Sequence, residues 1–567
     1  MKEHSLEVLE YRKIIRMTSD RAATKIGKEI VENLSPVHNE EYIKEQLAQV
    51  TSLKNMISEF GTLPFGGLRD IRESLKKAEK GSVLSVDRIT DIRSTLRGFK
   101  ELSRYFENIK SELDPRIVER EYKNIFDITA GLRPRPELAR EIDRCINEYG
   151  EIADTASSKL RSLRNKIESI ENSIRDKLDS IIKSSQYQDM LQESIVTRRE
   201  NRYVVPVKQE HRNKFDGIIH GQSSSGMTLF MEPMAVVRLN NELRDVRAQE
   251  SAEIQRILQM LSGKIASNGE IIKNDLMTAS TLDVISASAR FSIDFDCSEP
   301  EINQKGYIDL KEARHPLLKE EPVPIDVHLG DEISTLVITG PNTGGKTVSL
   351  KTVGLLTLMT QTGMHIPAAA NSTVAVFKKI FADIGDEQSI EQSLSTFSSH
   401  MTRIREFLAE SDDSTLVLLD ELGVGTDPEE GAALGIAVLD KLMERNAVSI
   451  ATTHYSQLKS YAYSTDHVEN ASVEFDLESL QPTYRLIMGV PGGSNAFEIA
   501  LRLGIPEEII TRARSLLSEE EIKVEDIINE LNQERNRYKR LREEMQEFRR
   551  REKQLKEKYE RLIKEQK

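Results

Sequence analysis

The stretch GPNTGGKT, residues 340–347, decides the fold of this chain. It follows the apolar run STLVIT and precedes VSLKTVGLL, an order that predicts a buried strand, a glycine loop and a helix. The glycines at 340, 344 and 345 let backbone N–H groups converge on phosphate oxygens at a helix N-terminus, where the helix dipole favours negative charge. We expect Lys346 to reach the β- and γ-phosphates and the Thr347 hydroxyl to bind Mg²⁺. The spacing therefore predicts a nucleotide site on an α/β sheet.

Two further strands are predicted to end in polar side chains. TLVLLDELGVGTDP, 415–428, ends its apolar run in Asp420 and Glu421, and AVSIATTHY, 447–455, ends in His454. We expect Asp420 to hold Mg²⁺ through a water, Glu421 to polarise the attacking water and His454 to sense the γ-phosphate. An isolated LLDEL is common in ordinary helices, and a lone histidine is usually structural. The order of loop, acids and histidine favours the functional interpretation.

Composition limits the class of protein. A chain of 567 residues is expected to form about three to five domains. It has 30% charged residues, 5% aromatic residues and no tryptophan, which favours long solvated helices. The net charge of -14 means that any contact with a polyanion must be local. Cys145 and Cys297 form neither a disulfide framework nor a metal-ligand spacing. With no secretory signal and no membrane-length apolar run, we predict a cytoplasmic protein without membrane contact.

Hydrophobic periodicity predicts the organisation. An apolar seam that begins at Leu160 and ends at Ile181 has alternating steps of three and four, and a second seam runs from Ile254 to Ile265. Between them, β-branched and turn residues predict a small strand-rich tip, so the two helices form an antiparallel arm. We predict a helical core at 1–130, the arm at 131–266 with its tip at 194–233, and a segment at 267–300 that returns to the core. An α/β ATPase domain is predicted at 301–517 and a charged coiled-coil helix at 518–567. We expect the natural protein to continue beyond this last helix.

The predicted tip carries a run of basic residues that are candidates for contact with a nucleic-acid backbone. Glu200, Glu210 and Asp216 reduce the net positive charge of this segment, so an ordinary solvated charged surface remains the alternative. The candidates are Arg198, Arg199, Arg202, Lys208, Arg212 and Lys214.

The order of phosphate loop, acid pair and histidine resembles the ABC-type P-loop ATPases, which hydrolyse ATP at a dimer interface. Between the loop and the acids lies DIGDEQSIEQSLSTFSSHM, 383–401. Together with GPNTGGKT, DELGVGTDP and TTHY, this region resembles the MutS family, and more closely its second bacterial subfamily. SNAFEIALRLGIPEEIITRARSLL, 494–517, is similar to the dimerising helix-turn-helix of that family. The resemblance covers nearly the whole chain.

The resemblance implies a homodimer that uses ATP and Mg²⁺. It implies metal binding by Thr347 and Asp420, and catalysis by Glu421, His454 and Lys346. The aromatic residue and the histidine that flank the base in mismatch-repair relatives are replaced here, near Val323 and Met488. The implied ATP-binding residues are Gly340, Pro341, Asn342, Thr343, Gly344, Gly345, Lys346, Thr347, Val348 and, reaching into the partner's site, Ser395.

Two activities of such relatives are not expected here. Mismatch readers insert a Phe-x-Glu motif from an N-terminal domain, whereas this chain opens in the helical core. The match Phe230-Met231-Glu232 lies in the predicted tip, and we interpret it as a packing feature. Full-length relatives carry a small nuclease domain, Smr, after the final helix. Nothing in these 567 residues matches it, so nuclease activity is not predicted.

Two functions stay open at this point. In the first, the homodimeric ATPase moves its arms on branched or duplex DNA and suppresses homologous recombination. In the second, it recognises collided ribosomes and splits them, with contacts to rRNA. Both partners present phosphate backbones, so the sequence does not choose between them. A passive coiled-coil scaffold is disfavoured by Lys346, Glu421 and His454.

Overall fold

The computed structural model describes residues 2–318, 322–340, 344–385, 396–476, 481–492, 496–502, 504–516 and 545. Helices dominate the first half of the chain, and strands alternate with helices in the second. The mixed α/β fold predicted from the sequence is therefore confirmed. Within these ranges no helix is both long enough and apolar enough to cross a membrane.

A helical body occupies the N-terminal part. Its long helix α6 buries Ile92, Leu96 and Phe99, whose spacing of three and four residues puts them on one face. In chain order the helices are α1 Glu3–Val8, α2 Tyr11–Ser19, α3 Lys25–Glu32, α4 Glu40–Phe60, α5 Arg72–Glu79, α6 Val86–Glu112, α7 Pro115–Ile117, α8 Lys123–Thr129 and α9 Pro136–Cys145.

Two long helices with a small sheet between them follow, and we call this unit the arm. Its strands form a sheet in the order β1-β2-β4-β3, and α10 packs along α12. The elements are α10 Ser158–Lys183, α11 Ser185–Gln188, β1 Thr197–Arg199, β2 Arg202–Lys208, β3 Gly217–Gln222, β4 Thr228–Pro233 and α12 Met234–Ser267, after which α13 Gly269–Asp294 returns to the helical body.

The first apolar seam, on α10, is buried as expected, but the second is buried elsewhere. Ile170 and Ile174 of α10 pack with Val236 and Leu243 from the first half of α12. Leu258, Leu261 and Ile265, from the second half of α12, pack in the core of the helical body, and so does α9. One helix, α12, thus contributes to the cores of both units.

The second half of the chain is built on a parallel sheet. Among the described residues this sheet has six strands in the order β10-β11-β12-β8-β13-β14, parallel except for the edge strand β14. Three of these strands, β8, β11 and β12, are buried along their whole length, as a sheet covered on both faces requires. The elements are β8 Thr335–Thr339, α14 Lys346–Gln361, β10 Lys379–Asp383, α15 Thr396–Glu410, β11 Thr415–Leu419, α16 Pro428–Glu444, β12 Val448–Thr452, α17 Ser456–Ser464, β13 Val468–Asp476, β14 Gln481–Met488, α18 Ala496–Arg502 and α19 Glu507–Arg514.

A smaller sheet contacts the main sheet through β14. Its strand order is β5-β9-β6-β7, and β7 lies against β14. Its strands are β5 Glu301–Asn303, β6 Ile308–Ala313, β7 Ile325–Leu329 and β9 Thr373–Ala375.

The first two helices of the chain, besides belonging to the helical body, contribute to the hydrophobic core of the main sheet. Leu6 and Leu9 are buried in the same cluster as Leu418 of β11. Gly354 of α14 makes room for them, because a Cβ atom there would lie 2.7 Å from Cδ2 of Leu9 and 2.5 Å from Cδ1 of Leu418. The sheet is thereby coupled to the N-terminal helices through direct side-chain packing.

Candidate nucleotide site

The parallel sheet gathers the predicted site residues at one edge. β8 ends at Thr339, β11 at Leu419 and β12 at Thr452, and the carboxyl ends of parallel strands meet at the same edge. The residues that follow these strands therefore come together although they are distant in sequence. They include the start of the phosphate loop, the acid pair and His454.

The two acids are held by two threonine hydroxyls. Thr347 Oγ1 donates to Oδ2 of Asp420 at 2.8 Å, and Thr452 Oγ1 donates to Oδ1 of the same carboxylate at 2.5 Å. The Thr452 oxygen also accepts a hydrogen bond of 2.8 Å from the backbone N–H of Glu421. Thr452 thus fixes both acids relative to the sheet, a role that the sequence reasoning did not assign.

Lys346 is a buried cation at the first position of α14. Its side chain is 1% exposed, and Nζ finds no hydrogen-bond partner among the described residues. Burial lowers the pKa of Lys346, while the charges of Glu421 and Asp420 oppose that shift. A buried ammonium without hydrogen-bond acceptors is costly, so the site favours a ligand that brings anionic oxygens.

The loop before α14 has two glycines with positive φ, a backbone conformation that lets a ligand approach closely. Gly345 has φ = 99° and Gly340 has φ = 131°, values that disfavour other residues. Val348 lies in the first turn of α14, whose N–H groups are free of intrahelical partners. Pro341, Asn342, Thr343 and Ser395, which the sequence assigned to ATP binding, lie outside the described residues.

Glu421 and His454 lie beside this lysine. Glu421 has a left-handed backbone with φ = 49°, a conformation that costs energy in a non-glycine residue and is enriched at functional sites. Burial lowers the pKa of His454, the charge of Lys346 lowers it further, and Glu421 opposes the shift. A lowered pKa leaves the imidazole neutral at pH 7, in the form that can accept a proton.

A buried aspartate that the sequence reasoning missed ties the neighbouring strand to α15. Asp383 ends β10, and its carboxylate accepts hydrogen bonds of 2.5 Å from both His400 Nδ1 and Arg403 Nη1. Its backbone carbonyl accepts the N–H of Asp420 at 2.9 Å. The signal was available, since DIGD follows an apolar strand just as the acid pair does.

A cavity of about 460 Å³ adjoins Gly345. His315, Val323 and Tyr484 line it, and of these only Val323 was singled out from the sequence. Met488, the other position noted for the base, packs against the main hydrophobic core instead. His315 and Tyr484 have no motif around them, so only their positions in space reveal them.

The six basic candidates of the tip have different surroundings. Arg202 is turned inward and its guanidinium donates to both carboxylate oxygens of Glu232, at 2.8 and 2.9 Å. Arg198 is exposed but pairs with Glu171 at 2.8 Å, and Lys208 donates to the Asp189 carbonyl at 3.0 Å. Arg199, Arg212 and Lys214 are exposed, and the described contacts contain no ion pair between any of them and a carboxylate.

The Phe230-Met231-Glu232 match is a packing feature, as predicted. Glu232 is fully buried, and besides Arg202 it accepts from Asn240 at 2.8 Å and contacts His220 Nε2 at 2.7 Å. A buried carboxylate with this many donors stabilises the tip rather than facing a ligand.

Comparison with known proteins identifies the family. A family model described as MutS domain V matches residues 336–521. The protein named endonuclease MutS2 of Halothermothrix orenii is 54% identical over 563 residues, which cover 99% of this chain and 71% of that protein. The chain belongs to the MutS family, in its MutS2 subfamily.

Other MutS2 proteins give the same result. Endonuclease MutS2 of a Geobacillus species is 47% identical over 540 residues, covering 94% of this chain and 67% of that protein. Putative endonuclease MutS2 of Bacillus subtilis is 46% identical over 539 residues, which cover 95% of this chain and 68% of that protein. The family predicted from the motifs is therefore confirmed. Within the described ranges no cluster of three or more His, Cys, Asp or Glu side chains could hold a metal by itself.

Proposed function

We propose that this chain is a homodimeric ATPase that couples ATP binding and hydrolysis to movement of its arms on nucleic acid. Branched or duplex DNA is the proposed nucleic acid, and suppression of homologous recombination is the proposed outcome. The observation that carries the proposal is the buried Lys346 ammonium at the start of α14, which has no acceptor among the described residues. Phosphate oxygens are the acceptors that such a position favours.

The residues around Lys346 fit the rest of a magnesium nucleotide. Thr347 and Asp420 supply a hydroxyl and a carboxylate, the oxygen ligands that Mg²⁺ prefers, and bound Mg²⁺ neutralises phosphate charge. Glu421 is assigned as general base for the attacking water, and His454 as the group that senses the γ-phosphate. Nuclease activity, which the names of the relatives state, forms no part of the proposal for these 567 residues.

Exposed apolar side chains on and next to α18 and α19 support a homodimer. Leu501, Ile505, Ile509 and Leu516 are between 38% and 70% exposed within 16 positions. Such a cluster on a soluble surface marks a contact with another molecule. In the proposed dimer this pair of helices contacts its copy, and Ser395 reaches the partner's γ-phosphate.

The coupling to the arms is proposed to run through the helical body. The packing of Leu9 on Gly354 and Leu418 joins the sheet to the first helices, and α12 continues from the body into the arm. A shift of the sheet on ATP binding would thus move the base of the arm as one packed unit. The division proposed is a body at 1–130 and 267–300, an arm at 131–266, an ATPase domain at 301–517 and a coiled coil at 518–567.

The test begins with ATP binding and turnover of the purified chain. Lys346→Ala should abolish ATP binding, whereas Lys378→Ala, an exposed lysine on the same domain, should leave it unchanged. Sedimentation with and without ATP tests the dimer. A strictly monomeric protein with full turnover would contradict the proposed shared site.

The partner is identified with the Glu421→Gln variant. This change should slow hydrolysis about 10²-fold or more and hold the ATP-bound state, so the bound partner can be purified with it. Branched DNA in the purified complex would support the proposal. Paired ribosomes would instead establish the ribosome-splitting function and overturn the assignment to recombination.

A further inference from the structure

Asp383 makes two kinds of contact beside the nucleotide site. Its backbone carbonyl accepts the N–H of Asp420 at 2.9 Å, so the end of β10 lies next to the acid pair. Its carboxylate accepts hydrogen bonds of 2.5 Å from His400 Nδ1 and from Arg403 Nη1, both on α15. The Asp383 side chain is only 3% exposed. One buried residue thus contacts the catalytic edge of the sheet through its backbone and α15 through its side chain.

The helix α15 is held differently in its two halves. Among its described side chains, the buried ones are Ile404 and Phe407, and both pack in a hydrophobic cluster against the main sheet. Phe407 also stacks on Phe381 of β10, with ring centroids 4.8 Å apart. The described side chains from 397 to 403 are partly buried or exposed. Apolar packing therefore fixes the second half of α15, whereas its first half depends more on polar contacts, among them the two to Asp383.

The start of α15 lies at the edge of the sheet that carries the nucleotide site. A Cβ atom on Gly425 would lie 3.1 Å from Cβ of Phe397, so the first turn of the helix packs against the loop that follows the acid pair. The helix begins at Thr396, the residue after Ser395 in the sequence. Because Ser395 is joined covalently to the first turn, a shift of that turn would move Ser395 as well.

The chemistry of the Asp383 contacts makes them effective in fixing a position. The Arg403 guanidinium stays charged in proteins, and a hydrogen bond between a charged donor and a carboxylate is shorter and stronger than one between neutral groups. Replacement of the carboxylate takes one acceptor away from both donors on α15. Catalysis is sensitive to the shift that would follow, since a misplacement of about 1 Å can lower a rate about 10²-fold.

We infer that Asp383 is a positioning residue for the nucleotide site of the partner protomer, because its hold on α15 keeps the start of that helix where Ser395 reaches the partner's γ-phosphate. The inference rests on the proposed function, since it requires a homodimer with shared sites. The hydrogen bond from Asp420 goes to the backbone of Asp383 and is retained whatever side chain stands there. The defect of a side-chain variant therefore arises in the neighbouring site and not in its own.

The first experiment compares ATP affinity with ATP turnover in the full chain. Asp383→Ala should lower turnover about tenfold or more and keep ATP affinity within about twofold of wild type, since Lys346 is unchanged. Arg403→Met, which removes a donor instead of the acceptor, should separate the two quantities in the same way. Glu406→Ala is the matched control and should leave turnover unchanged, because Glu406 pairs with Lys2 at 3.1 Å on the second half of the same helix. Equal losses of affinity and turnover in both test variants, or wild-type turnover in both, would overturn the inference.

Mixed dimers show which of the two sites Asp383 serves. Lys346→Ala protomers, which should not bind ATP, are paired with Asp383→Ala protomers and purified through two different affinity tags. The Asp383→Ala protomer has an intact phosphate loop, and its site receives Ser395 from a protomer whose Asp383 is intact. We expect about half of wild-type turnover, against about a tenth or less for either variant homodimer. A mixed dimer no faster than the Asp383→Ala homodimer would mean that Asp383 serves its own site or general stability, and would overturn the inference.

A second pairing separates that result from a failure of the proposed function. Lys346→Ala protomers paired with Ser395→Ala protomers should show the same recovery, because one complete shared site forms there as well. If this pairing recovers turnover and the pairing with Asp383→Ala does not, the shared site stands and the inference alone is wrong. If neither pairing recovers turnover, the shared site of the proposed function fails, and the inference fails with it.

Discussion

The Thr347 hydroxyl donates a 2.8 Å hydrogen bond to Oδ2 of Asp420, joining the first turn of α14 to the end of β11 across 73 positions of sequence. Both groups are oxygen ligands of the type that Mg²⁺ prefers. Their contact places the predicted metal ligands from two separate motifs side by side. It also gives a direct way to test whether they act together.

Removing the Thr347 hydroxyl should weaken the use of Mg²⁺. In Thr347→Val, we expect the Mg²⁺ concentration for half-maximal ATP turnover to rise about 10-fold or more, because a ligand and its orienting hydrogen bond are both lost. Thr347→Ser keeps the hydroxyl and serves as the matched control. A titration of turnover against Mg²⁺ that is the same for all three proteins would exclude a metal role for Thr347.

Replacing Thr452 by valine should lower the rate of hydrolysis more than ATP affinity. Thr452 is fully buried and holds both Asp420 and the backbone of Glu421, so its loss leaves both acids misoriented. We expect kcat to fall about tenfold or more with little change in ATP affinity, and Thr452→Ser to retain most activity. An equal loss of affinity and rate would indicate a general disruption of the sheet instead.

Lys346→Met should stabilise the protein in the absence of nucleotide. The wild-type side chain is a buried cation without an acceptor in the described structure, so removing its charge should raise the free energy of unfolding by about 1 kcal/mol or more. Because the folded-state pKa is lowered below 10.5, the cost is present at neutral pH and falls as the pH rises towards 10.5. Thermal unfolding at pH 7 and pH 10 checks this prediction, since the difference in melting temperature between variant and wild type should be smaller at pH 10.

The base of the arm should lose stability in acid through Glu253. This buried carboxylate joins the start of α10 to α12, because it accepts from Ser157 at 2.9 Å and from Arg256 at 2.7 Å. The Arg256 hydrogen bond lowers the pKa of Glu253 to about 2, against the opposing effect of burial. A lowered pKa stabilises the fold above about pH 4.5, and that contribution is lost as the pH falls towards 2.

Melting curves of Glu253→Gln test that prediction. The variant should melt at a lower temperature than wild type at pH 7, and the gap should narrow as the pH falls below 4.5. Glu242→Gln is the matched control, since Glu242 pairs with Lys166 at 2.8 Å across the same two helices but its side chain is 41% exposed. A pH-independent gap for Glu253→Gln would assign the effect to packing instead of charge.

Nucleic-acid binding by the tip should depend on its exposed cations. Replacing Arg199, Arg212 and Lys214 together by alanine should weaken duplex DNA binding and reduce the slope of log K against log salt by about 2–3, at roughly 0.9 per phosphate contact. Fluorescence anisotropy at several salt concentrations measures both quantities. Replacement of the exposed residues Lys76 and Lys100 of the helical body is the control and should leave the slope unchanged. An unchanged slope in the tip variant would remove the tip as the contact.

The sequence by itself determined those helices, strands and turns that depend only on residues close together in the chain. GPNTGGKT predicts a helix start, and α14 begins at Lys346 after a glycine with positive φ. The steps of three and four in α10 predict one buried face, and that face is buried. Short-range spacing suffices here because strand, glycine loop and helix are each set by neighbouring residues.

Only the tertiary structure decided which of these residues meet. The strands occur in the chain as β8, β10, β11 and β12 but lie in the order β10-β11-β12-β8, which brings Thr452 to Asp420 and Glu421. The pairing of Arg202 with Glu232 and the cavity shared by His315 and Tyr484 arise in the same way. The physical reason is that each such contact joins elements distant in sequence, so it depends on how whole faces are buried and not on any local pattern.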